Sequence, residues 1–170
     1  SSIRAHEVLF CLADVSGHGT GSALVTVLLN EQLERLALMA SEDASLSVGR
    51  MMAQINAALC EAVFDHHVTC VLGIIDLRNN QLRYCSAGHF PHPLLVQNGA
   101  VQVLEAGELP LGLLKSKEYD ARQLVLASEF KLLIVSDGVL EGLRGEALAE
   151  KEAALNAFAL GDSGEVEGLL

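Results

Sequence analysis

Two asparagine turns limit what this chain can fold into. Asn79-Asn80 separates the apolar stretches Val68–Leu77 and Gln81–Ser86, and Asn98-Gly99 separates Leu94–Gln97 from Ala100–Glu105. Such dipeptides accept the positive φ angles of tight hairpins, so each predicts an antiparallel strand pair. Glu7–Ala13, well ahead of them, is a continuous apolar run and reads as a buried strand. Gly21–Ala40 reads as a helix, with Leu29, Leu33, Leu36 and Ala40 on one face and Thr20 or Ser22 available as its cap. After the polar connection Ser41–Ser47, the residues Val48, Met51, Met52, Ile55, Leu59, Ala62 and Val63 recur at helical spacing. They predict a second helix whose methionines fill core rather than bind. Ala121–Ala127 and Lys131–Ser136 add strands, and Glu146–Leu170, rich in Ala, Leu and Glu, reads as helical. The order strand, helix, helix, hairpins, helix has no βαβ alternation. It predicts an α+β fold with antiparallel sheet.

The 170 residues suit a single domain with a sizeable core, and 51% apolar against 19% charged residues argues against disorder. No apolar run is long enough for a membrane span, and "SSIRAHEVLF" lacks the basic region and cleavage motif of a secretory signal. The expectation is a cytoplasmic protein with no membrane partner. A net charge of -11 repels a phosphate backbone, which excludes nucleic acid as a partner, and tolerates a divalent cation. Cys11, Cys60, Cys70 and Cys85 lie in apolar patterns with no Cys-x-x-Cys pair. They read as buried thiols in a reducing compartment.

The chemistry concentrates in "LFCLADVSGHGTGSAL", Leu9 to Leu24, where an apolar strand delivers Asp14 into a loop holding Gly17, Gly19 and Gly21. A dinucleotide cradle fails here. The third glycine of that spacing falls on Ser22, and the helix leads into another helix rather than a parallel strand. A phosphate loop of the Walker type fails for want of a lysine. Asp14 alone could be a turn residue. But "KLLIVSDGVLEG" repeats the design: an apolar strand, then Asp137, then Gly138. If the two strands are neighbours, the carboxylates converge at one sheet edge. Carboxylates and backbone carbonyls suit Mg²⁺ or Mn²⁺, and a pair of such ions can activate water and clamp a phosphoryl group. His18 can serve as general acid to a leaving group or simply as a loop hydrogen-bonder. His89 and His92 have the spacing of a zinc pair, but Pro91 and Pro93 oppose a helix there and no third ligand stands out. His66 and His67 open a strand and read as exposed.

Four blocks carry a resemblance: "ADVSGHGTGSAL" (Ala13–Leu24), "HVTCVLGIIDLRNNQLRYCSAGHFPHPLL" (His67–Leu95), "ELPLGLL" (Glu108–Leu114) and "LLIVSDGVLEG" (Leu132–Gly142). In this order they resemble the bacterial serine phosphatases of the SpoIIE and RsbU type, within the metal-dependent type-2C protein phosphatase superfamily. The resemblance implies an α-β-β-α sandwich of two antiparallel sheets flanked by helices. It implies hydrolysis of phosphoserine or phosphothreonine on a protein by metal-activated water. Carried over, Asp14 bridges two Mg²⁺ or Mn²⁺ ions, the Val15 carbonyl binds one ion and Asp137 the other. The usual substrate in such systems is a phosphorylated anti-sigma-factor antagonist, and an N-terminal receiver or sensor domain of a response regulator often precedes the phosphatase. The family also carries a Gly-Asp motif upstream and an Asp-Asp motif downstream. Neither is present here, and Asp162 is a poor stand-in, so the chain is expected to lack metal-site segments at both ends. The alternative reading is a catalytically inactive module of the same fold that binds a sigma-factor regulator.

Overall fold

The computed structural model describes residues 2–43, 45–62, 66–105, 107–143 and 147–161. Along the chain these form β1 (Ser2–Arg4), β2 (Glu7–Val15), α1 (Thr20–Glu42), α2 (Val48–Glu61), β3 (Val68–Asp76), β4 (Gln81–Ala87), β5 (Leu94–Gln97), β6 (Ala100–Val103), β7 (Arg122–Val125), β8 (Phe130–Leu133), α3 (Gly138–Gly142) and α4 (Leu148–Leu160). The fold is mixed helix and antiparallel sheet, as the order of elements predicts. The chain divides into two compact units, Ser1–His89 with Ala106–Val125, and Phe90–Glu105 with Leu126–Leu170.

The first unit is built on a five-stranded sheet in the order β1-β2-β3-β4-β7, with every neighbouring pair antiparallel. β2 and β3 stay in register without a break from Glu7↔Asp76 to Val15↔Val68. On one face Leu9, Cys70, Leu72, Ile74 and Cys85 pack with Val25, Leu29 and Leu36 of α1 and with Met51, Met52 and Ile55 of α2. Both methionines are fully buried, so the stripe is core as expected. Each large apolar side chain so buried contributes roughly 1.5–3 kcal/mol. On the other face Phe10 lies across Gly73, its register partner: a Cβ there would meet the Phe10 ring at 2.3 Å. Buried Glu7 is held by two guanidiniums, Arg4 at 2.5 Å and Arg83 at 2.7 Å, which is what permits a carboxylate at the head of an apolar strand.

The second unit carries a three-stranded sheet, β6-β5-β8, over a core of Leu94, Val96, Leu140, Leu143, Leu155 and Ala159. Both hairpins form where the asparagine turns predict. Asn98 and Gly99 have φ of 52° and 73°, and Asn80 has φ 50° in the β3–β4 turn. There the Asp76 carboxylate accepts from the Arg78 and Asn79 amides at 3.0 Å.

Several local expectations are corrected. The cap of α1 is Gly19 (φ 98°), not Thr20 or Ser22; Ser22 Oγ instead donates to the Gly19 carbonyl at 2.9 Å. The strand expected over Lys131–Ser136 instead spans Phe130–Leu133, paired with β5 from Gln97↔Phe130 to Leu94↔Leu133. β1 and the short α3 have too few residues to show a period. The tail helix covers Leu148–Leu160, while Val63 and Asp162 lie outside the described residues. Among the described residues no helix is long and apolar enough to cross a membrane.

Candidate functional site

Asp14 is the penultimate residue of β2 and is exposed. Its carboxylate has no hydrogen-bond or ion-pair partner among the described residues. The next carbonyl is also turned to advantage. Ser16 and His67 form a hydrogen-bonded pair: the Ser16 amide donates to the His67 carbonyl and the His67 amide to Ser16 Oγ, both at 3.0 Å. Antiparallel ladders alternate bonded and non-bonded pairs, so Val15 and Val68 are a non-bonded pair. Val68 accordingly bonds away from β2, exchanging amide and carbonyl with Leu111 at 3.0 and 2.8 Å. The Val15 carbonyl therefore points away from β3, on the side of β2 that β1 covers only around Glu7 and Val8. A free carboxylate and an outward carbonyl on successive residues are hard oxygen donors. Mg²⁺ takes one or two carboxylates and keeps several waters, so the pair fits such an ion.

The loop that follows is seated on His66, which the sequence predicts to be exposed. His66 is partly buried, with its imidazole in the hollow between Gly17 and Gly21. A Cβ at Gly21 would lie 2.5 Å from His66 Nε2, and one at Gly17 would lie 3.3 Å from His66 Cε1. Two glycines four apart at a loop–helix junction were the available signal, with nothing to say which side chain fills the notch. The "ELPLGLL" block is fixed in turn by Asn56 of α2, which is fully buried. Asn56 Nδ2 donates to the Leu114 carbonyl at 2.8 Å, and its Oδ1 accepts from the Gly112 amide at 2.9 Å. One polar residue inside an apolar helical stripe is the sequence signal for such a hub. His18 is exposed in the loop, where a donor can reach a ligand.

Asp137 occupies a different setting. It follows residues 134–136, which are outside regular structure, and precedes the five-residue α3. Its carbonyl accepts from the Leu140 amide at 2.8 Å, and its exposed carboxylate makes no capping bond. β2 and β8 lie in different sheets, so the two carboxylates do not share one sheet edge. Among the described residues, no three His, Cys, Asp or Glu side chains gather as a metal site, which also leaves the His89 and His92 pair without further ligands. His89 is buried, and His92 Nδ1 is buried with no hydrogen-bond partner.

The sequence model of the family described as "Stage II sporulation protein E (SpoIIE)" matches residues 4–170. Phosphoserine phosphatase RsbP of Bacillus subtilis (strain 168) is 27% identical over 145 residues, which is 82% of this chain and 34% of RsbP. The chain thus spans about a third of that relative. Among solved structures, the RsbU and RsbW domains of Rv1364c from Mycobacterium tuberculosis align with TM-score 0.77 at 23% identity, covering 96% of this chain and 45% of that one. The SiaA-PP2C domain of Pseudomonas aeruginosa aligns with TM-score 0.68 at 20% identity, over 96% and 73% of the two chains. RsbX in complex with magnesium aligns with TM-score 0.65 at 18% identity, over 92% and 75%.

Proposed function

Because the chain belongs to the SpoIIE family, we propose that it is a metal-dependent phosphatase domain acting on phosphoserine or phosphothreonine in a protein. The observation that carries this reading is the Asp14 carboxylate, without a partner among the described residues, beside the outward Val15 carbonyl, within the segment the family matches. The activity named for RsbP and the magnesium held by RsbX support it. Asp14 and the Val15 carbonyl would hold one Mg²⁺ or Mn²⁺ ion, and Asp137 would offer a carboxylate to a second. Bound there, the ions supply a polarised water and charge neutralisation for a phosphoryl group. The chain's own residues do the rest. The Ser16–His67 pair fixes where Asp14 points, and His66 sets the path of the loop. His18, exposed in that loop, gives a proton to the departing seryl or threonyl oxygen.

The substrate proposed is a phosphorylated anti-sigma-factor antagonist or related sigma-factor regulator, in a chain where this domain is the output of a receiver or sensor. Two facts support this: the chain spans only a third of RsbP, and the M. tuberculosis chain carries RsbU and RsbW domains together. Phosphate release from a phosphoserine protein, measured with and without Mn²⁺, tests the activity. Release should require the metal and disappear in Asp14→Ala; release that persists in chelator, or survives that substitution, overturns the reading.

A further inference from the structure

Cys11 of β2 and Cys70 of β3 sit diagonally across the ladder, with their sulfurs 3.6 Å apart. They point into the same core face, yet differ in access. Cys70 is fully buried, whereas Cys11 is only partly so. Cys11 also lines a groove of about 510 Å³ between β2 and α1, bounded by Leu9 on the strand and by Asn30, Leu33 and Ala37 on the helix. Glu34 stands on the helical side of this groove and accepts from Asn30 Nδ2 at 3.0 Å. A carboxylate there disfavours anionic reagents and leaves entry to small neutral ones. The other thiols lack this combination. Cys85 is buried, and burial pushes its thiol up to about 12. Cys60 faces Asn56 Oδ1 at 3.9 Å rather than a second sulfur.

We propose that Cys11 and Cys70 form an oxidisable dithiol that a small neutral hydroperoxide, entering by the β2–α1 groove, converts to a disulfide between the two strands. The hydrogen bond between the two sulfurs holds the Cys11 thiol below its usual range, and the same bond together with burial holds Cys70 above it. Cys11, which the groove reaches, is thus the attacking sulfur, and the fully buried Cys70 the resolving one. The Cys11 thiolate breaks the O–O bond and becomes a sulfenic acid; the departing oxygen takes up a proton and leaves, as water when the oxidant is hydrogen peroxide. Cys70 sulfur then displaces the sulfenic oxygen, which leaves as water with the Cys70 proton. Two thiols are oxidised and one peroxide is reduced. The bond would fasten β2 to β3 three residues before Asp14, and the proposal stands whether or not the domain is a phosphatase.

The test is hydrogen peroxide on the reduced, folded protein, followed by unfolding, alkylation and peptide mapping. The expected result is loss of two of the four thiols together, a Cys11–Cys70 cross-linked peptide, a raised Tm, and recovery of both thiols with dithiothreitol. In Cys70→Ala, Cys11 should stop at the sulfenic acid and be trapped by dimedone. Cys11→Ser, with circular dichroism to verify folding, should keep its remaining thiols. Glutathione disulfide, bulky and anionic, should leave Cys11 unmodified. A cross-link through Cys60 or Cys85, a Cys11 oxidised without a cross-link in the native sequence, a glutathione adduct at Cys11, or no thiol loss at peroxide levels that oxidise the unfolded chain would each overturn the proposal.

Discussion

The segments around Asp14 and Asp137 spell nearly the same pattern, an apolar run followed by an aspartate and a small-residue turn, yet the chain fastens them very differently. Asp14 is the penultimate residue of a nine-residue strand paired to β3 along its whole length. Beyond it the Ser16–His67 pair and the His66 wedge fix the next turn. Asp137 lies four positions past a four-residue strand and leads into a single helical turn. What surrounds each carboxylate, not the local pattern, decides how firmly it is aimed. A ligand must be held to within a fraction of an ångström to bind a small cation well. Asp14 therefore has the stronger structural case as the ligand on which activity depends.

The largest expected effect tests that ranking. Asp14→Ala should lower metal-dependent phosphate release by about 10³-fold, the several kcal/mol that such an ion supplies. Because the carboxylate is exposed and has no partner among the described residues, Tm should hardly move. Asp137→Ala should also leave Tm in place and lower activity less. Parallel Mn²⁺ titrations and thermal melts of the two variants decide the matter, and a larger loss in Asp137→Ala would reverse the comparison.

Next in size is the buried hub behind the Asp14 side. Asn56→Ala removes a fully buried side chain and strips the Gly112 amide and the Leu114 carbonyl of their side-chain partner. Leaving such groups unsatisfied, together with the small cavity, should cost about 3 kcal/mol in urea unfolding. A cost under about 1 kcal/mol would mean that the 111–115 loop finds other partners.

How much of this was legible in the sequence follows from the range of each interaction. Hairpins at Asn79-Asn80 and Asn98-Gly99 and the two long helices were readable because turn chemistry and helical period are local. So was Asp14 as a candidate ligand, since a glycine-bearing loop after a buried strand is a local signature. The end of β8 was not, because it depends on where its partner β5 starts, more than thirty residues earlier. His66 was hidden for the same reason: its role is set by Gly17 and Gly21 on a distant strand–helix junction. The separation of β2 and β8 into different sheets is topology, which no window of sequence contains.

The wedge itself offers a smaller and cleaner contrast. Gly21→Ala should cost about 2 kcal/mol, the usual penalty for forcing a methyl into filled space, here against the His66 ring. The double variant Gly21→Ala with His66→Ala should recover most of it, because the new methyl then meets no ring. A double-mutant cycle on Tm or urea midpoint reads the coupling directly. Additive losses would mean that His66 does not hold the loop.

The smallest effect belongs to the sheet on the Asp137 side. Gly99 sits at φ +73° in the β5–β6 turn, with open space where a Cβ would go. Gly99→Ala therefore meets no steric neighbour and carries only the backbone cost of a left-handed conformation, about 1 kcal/mol. Hydrogen exchange should show faster opening of β5 and β6, while the β2–β3 ladder keeps its protection. The sign matters because Gly21→Ala and Gly99→Ala are the same chemical change with different causes, a side-chain collision in one and a dihedral in the other. Only the first can be rescued by cutting back a neighbour. If a second-site truncation near β6 restored Gly99→Ala, or if its cost exceeded that of Gly21→Ala, the distinction between a wedged loop and a free hairpin would fail.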